Sequence, residues 1–139
     1  MRKHLFTISL ISCLLLSNSV VGQIASFSPA TIVEHQLNAY NAGDIDAFME
    51  VFHVDIQIFE FGKSAPSVSG HEAVKNVYNE LFNASPNLNS VVINRSVIGN
   101  KVIDYEFITG RNNSPEPLYL VMIYEIKDNK IYRATSIRQ

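Results

Sequence analysis

The stretch Tyr40-Asn41-Ala42-Gly43-Asp44-Ile45-Asp46-Ala47-Phe48 holds the end of one helix and the start of another. Gly43 suits the left-handed position that follows a last helical turn. Asp44 can cap a second helix at once, its carboxylate accepting from free backbone N–H groups. Upstream, Ser28-Pro29 reads as an N-cap with proline at the first helical position, where its missing N–H costs nothing. Ile32, Val33, Leu37 and Tyr40 then recur on one helical face, and Ile45, Phe48, Met49 and Phe52 on one face of the next helix.

Downstream the apolar period changes from helical to two. From Val54 to Phe61, Ile56, Ile58 and Glu60 share one face of a strand, with Asp55, Gln57, Phe59 and Phe61 on the other. After a loop from Gly62 to Val68, the run Ser69-Gly70-His71-Glu72 reads as a capping box. It opens a third helix bearing Val74, Val77, Tyr78, Leu81 and Phe82, which Asn83 to Pro86 ends. Four strands follow: Val91–Ile98 and Val102–Ile108 about Gly99-Asn100, then, past a polar loop, Leu118–Ile126 and Ile131–Ile137 about Asp128-Asn129. Both two-residue connections carry hairpin signals. The expected fold is α+β, with three helices packed on a mainly antiparallel sheet.

The N-terminus reads as an export signal over residues 1–22. Arg2 and Lys3 precede an apolar run from Leu5 to Leu16, too short to span a bilayer and followed by polar Ser17, Asn18 and Ser19. Val20 and Gly22 suit cleavage before Gln23, leaving one domain over 23–139. A lipoprotein route through Cys13, preceded by Leu10-Ile11-Ser12, is the alternative. Cys13 is the sole cysteine, so the mature chain can form no disulfide, which favours a bacterial periplasmic or secreted setting over a eukaryotic one. Losing Arg2 and Lys3 from 11 basic residues leaves 9 against 13 acidic ones. With those cations scattered singly, neither nucleic acid nor an anionic membrane surface is an expected partner.

The residues from Tyr40 to Phe48, with Phe52, Asp55, Gly70-His71-Glu72-Ala73-Val74, Tyr78 and Phe82, resemble the nuclear transport factor 2-like superfamily. Within it the chain is most similar to SnoaL-like polyketide-cyclase and ketosteroid-isomerase-like proteins, over about residues 30 to 137. The resemblance implies a nuclear transport factor 2-like cone, in which the helices and a strongly curved sheet enclose a pocket for a small hydrophobic molecule. It also implies a homodimer, and isomerase, cyclase or dehydratase chemistry in some members and none assigned in many. In ketosteroid isomerase a carboxylate base moves a proton while a tyrosine and a protonated aspartate stabilise the enolate oxygen. By the resemblance, Glu60 falls at the base position, Gln36 at the tyrosine position, and Val121 or Met122 near the protonated-acid position. Both oxyanion donors are thus replaced, which argues against steroid isomerisation as such.

Residue by residue, Glu60 is the candidate general acid or base. An acid among apolar neighbours bears a desolvation cost that raises its pKa toward neutrality. Gln36, Tyr105, Tyr119 and Met122 are the candidate ligand contacts, and the sheet tyrosines could orient a ligand oxygen. His35, His53 and His71 lie 18 residues apart, not at the short spacing of local metal ligands. No metal or cofactor is expected, and the competing reading is a non-catalytic module that binds a ligand or supports a dimer.

Overall fold

A computed structural model describes residues 27–138. The export signal expected over 1–22, its cleavage site and Cys13 lie outside the described residues. The chain forms α1 (Pro29–Ala42), α2 (Ile45–Glu50), β1 (Phe52–Glu60), β2 (Val68–Ser69), α3 (His71–Ala84), β3 (Asn89–Ile98), β4 (Lys101–Thr109), β5 (Leu118–Lys127) and β6 (Lys130–Arg138). The six strands make one sheet in the order β2-β1-β6-β5-β4-β3. The last four form an antiparallel meander, β1 runs parallel to β6, and β2 pairs antiparallel with β1 at the edge.

Local chemistry accounts for the element ends. Ser28 Oγ accepts from the Thr31 N–H, and Asp44 Oδ1 accepts from the Ala47 N–H. Between the two helices Gly43 adopts φ 63°, so the chain reverses within the Gly43-Asp44 pair. Asp128 and Asn129 both have positive φ, which matches the twist of a two-residue hairpin. The expected capping box does not form. Ser69 belongs to β2, Gly70 is the N-cap at φ 91°, and no side chain caps α3. Strand pairing of Ser69 with Gln57 takes the backbone that a capping serine would have needed.

The helices cover one face of the sheet. Tyr40, Phe48, Phe52, Tyr78 and Phe82 form an aromatic cluster where α1, α2 and α3 meet β1, with Phe48 and Tyr78 ring centroids 4.5 Å apart. Asn41 ties α1 to β3, donating to the Ser90 carbonyl and accepting from the Ser90 N–H at 2.9 and 2.7 Å. Bulges between Val92 and Asn94 and between Glu125 and Ile126 break the ladders and bend the strands. The side away from the helices carries half-buried Ile103, Tyr105, Phe107, Val121 and Ile123.

Candidate functional site

Between α1, α3 and the covered face of the sheet lies a cavity of about 450 Å³. Its walls are mostly apolar: Leu37, Ile58, Leu81, Ile108, Leu120 and Met122. Two rows across the sheet set its polar groups. One runs Glu60, Ser136, Met122, Asp104, Arg95; the next runs Arg138, Leu120, Glu106. Glu106 and Arg138 thus stand one strand apart on either side of Leu120, about 10 Å between Cα atoms at ordinary strand spacing.

Glu106 is the buried acid of this cavity, only 5% exposed. Ser90 Oγ donates to its Oε2 at 2.8 Å and Tyr124 Oη to its Oε1 at 3.2 Å. Burial holds its carboxyl above the usual carboxylate range; the two hydroxyls pull the other way, while the negative charge of Asp104 adds to the rise. The same burial pushes the Tyr40, Tyr78 and Tyr124 phenols above their ordinary range. All three tyrosines line the cavity beside buried Gln36, so Glu106 faces a space containing several neutral hydrogen-bonding groups.

Arg111 enters the cavity from the β4–β5 connection, a short 3₁₀ turn over Arg111–Asn113. That turn is anchored where the Asn112 N–H donates to Ser85 Oγ at 2.7 Å. Gly110 precedes it at φ 70°, packed so closely on the Asn87 carbonyl that a Cβ would collide with it. Gly110→Ala is therefore expected to cost about 2 kcal/mol or more through backbone strain and the clash. A lowered midpoint in urea unfolding would register that cost.

The residues singled out in the sequence separate. Gln36 and Met122 line the cavity. Tyr105 and Tyr119 lie on the opposite face of the sheet, where Tyr119 stacks near Tyr105 and Phe107, and neither touches the cavity. Glu60 keeps the strand face of Ile58 and the row of Ser136, but it is exposed at the end of β1 and is not among the lining residues. The desolvation argument for Glu60 does not apply there, because β1 ends before the helices cover it. Burial that would tune a carboxylate falls instead on Glu106. The histidines have local roles: His71 Nε2 lies 3.2 Å from the Met49 carbonyl, His53 Nδ1 accepts from the Asp55 N–H, and His35 packs near Phe27.

Residues 33–134 match the family model of the SnoaL-like domain. The chain belongs to the SnoaL-like domain family. Solved structures agree on the fold of this SnoaL-like domain. A cystatin-fold protein of uncharacterised function from Novosphingobium aromaticivorans is 22% identical, with TM-score 0.74 over 81% of this chain and 99% of its own. A candidate ketosteroid isomerase from Kribbella flavida is 14% identical, with TM-score 0.68 over 80% and 77%. A candidate SnoaL-like polyketide cyclase from a Jannaschia species is 19% identical, with TM-score 0.66 over 78% and 83%. Among curated proteins no sequence matches the chain. No helix of the described residues is long and apolar enough to cross a membrane.

Proposed function

We propose that this SnoaL-like domain binds a small, largely apolar molecule bearing a carbonyl or hydroxyl group and moves a proton on it, with Glu106 as general acid or base. The observation that carries this reading is a carboxyl group buried in an apolar-walled cavity and held by Ser90 and Tyr124. Its raised pKa brings it toward the range in which a carboxyl can both give and take a proton. Gln36 and the tyrosine hydroxyls supply donors for an oxygen on which charge develops. A purely apolar cavity would have favoured binding without turnover.

The test begins with native mass spectrometry of ligand that co-purifies with the protein. That ligand is then incubated with the protein in deuterium oxide. Deuterium should enter a carbon position beside the ligand's carbonyl, and no exchange above the uncatalysed rate would leave a binding module instead.

Two further parts of the proposal concern the chain's setting. We place the mature protein outside the cytoplasm, with processing at or near Gln23, because Val20 and Gly22 suit the cleavage enzyme. N-terminal sequencing of exported protein should read from Gln23, and a chain beginning at lipidated Cys13 would overturn this. We also propose a homodimer through the uncovered sheet face, where Tyr105, Phe107, Val121 and Ile123 leave an apolar surface. Tyr105 and Tyr119 then serve association rather than ligand contact. Sedimentation at micromolar concentration should give twice the mature mass; a monomer would remove the proposal.

A further inference from the structure

The arginines of the described residues fall into two groups. Arg95 is paired with Asp104 and Glu34, and Arg133 with Glu125. Arg111 and Arg138 make no ion pair among the described residues, and both line the cavity. They arrive from separate places, one on the β4–β5 turn and the other at the end of β6. A lone cation on a surface needs no explanation, but two guanidiniums lining one apolar-walled cavity without a carboxylate partner among the described residues do.

Both are close enough to the same buried phenol, Tyr78, to oppose the rise that burial imposes on it, and Arg111 opposes the rise at Tyr40 as well. Two acidic side chains share the wall, exposed Glu80 and buried Glu106. Neither is within ion-pair distance of either arginine among the described residues, and Glu106 is held instead by Ser90 and Tyr124, so both guanidiniums reach the cavity without a carboxylate partner there. Guanidinium groups present planar forks of donors that match a carboxylate in two-point contact.

We propose that the ligand is an amphipathic carboxylate whose anionic end is held by Arg111 and Arg138, with its apolar body lying along Leu120 toward Glu106. This rests on the cavity being the binding site, and it adds the ligand's charge and its direction. The separation of Glu106 from Arg138 across one strand sets the distance between the anchored carboxylate and the reacting carbon at a few bonds, not an adjacent atom. The arginines are positioning residues: they hold one end of the molecule while Glu106 acts on the other.

The test compares three probes of one shape, 2-naphthylacetate, its methyl ester and 2-naphthylethylamine, by titration calorimetry. The carboxylate should bind about tenfold or more tightly than the ester, and the amine most weakly. In the double variant Arg111→Gln, Arg138→Gln the carboxylate should fall to the affinity of the ester, with the ester itself unchanged. Both sites are at the cavity edge, and an unaltered melting temperature would show the fold is kept. Equal binding of acid and ester to the wild type, or a carboxylate preference that survives in the double variant, overturns the anion inference and leaves the cavity reading standing. Val77→Trp, which fills the cavity from an exposed position on α3, separates the two ideas. If probe binding is the same in that variant, the cavity is not the site and both readings fall.

Discussion

Glu106→Gln is expected to slow proton transfer by about 10² to 10⁴ while leaving ligand affinity nearly unchanged, since a positioned general acid or base contributes on that scale. The amide keeps the shape of the side chain. Ser90 and Tyr124 can rotate their hydroxyls to accept from its N–H or donate to its oxygen, so the local network has a way to persist. Stability should move in a direction set by the raised pKa. Between the ordinary carboxyl range and the higher folded value, the folded chain retains a proton that the unfolded chain has released. Wild-type stability therefore falls as pH rises through that window. The variant lacks this loss, so its melting temperature should gain on the wild type as pH increases from acid toward neutral. A gap that stays constant with pH would mean Glu106 has the same proton affinity folded and unfolded, and unchanged turnover would remove it from the chemistry.

The second large effect is expected at Arg95. Its Nε and Nη2 donate to the two oxygens of Asp104, both at 2.7 Å, and Nη1 donates to Glu34 Oε2 at the same distance. Asp104 is 1% exposed, so this guanidinium is the main compensation for a carboxylate removed from water. Arg95→Met should destabilise the fold by about 3 to 5 kcal/mol, because it leaves an unpaired buried acid. Glu34→Gln should cost less than about 1 kcal/mol, since that carboxylate is half exposed and screened. Adding Asp104→Asn to Arg95→Met should recover much of the loss, which urea unfolding of the three variants would measure. The pair also reaches the site: Arg95 counteracts the rise at Glu106. Arg95→Met should therefore shift the acid limb of any pH–rate profile upward.

Much of the architecture was legible because its signals are local. Ser28-Pro29, Gly43-Asp44 and Asp128-Asn129 act through backbone geometry and nearest neighbours, and each does in the fold what its chemistry suggests. A period of two holds along β5, where Leu120, Met122 and Ile126 are buried and Tyr119 is exposed, although the sequence reading groups Tyr119 with Met122 as ligand contacts. The same reading of β4 would have found the buried acids. Val102, Asp104, Glu106 and Ile108 alternate with Ile103, Tyr105 and Phe107, so both carboxylates share a face with core residues. The edge strand β2 was not legible, because two residues carry no period.

By itself the sequence determined the ends of α1 and the start of α2, the hairpin punctuation, the α+β class and the resemblance that the SnoaL-like match bears out, but not the cap of α3. Only the tertiary structure decided which acid is desolvated. Glu60 and Glu106 both sit on inward strand faces, but burial depends on what is stacked above each position. Among the described residues Glu60 is left exposed at the end of β1, whereas the helices close over Glu106 on β4. The convergence of Arg111 and Arg138 on one cavity was likewise beyond sequence reading, because the two lie 27 positions apart and meet only when β6 and the β4–β5 turn reach the same rim.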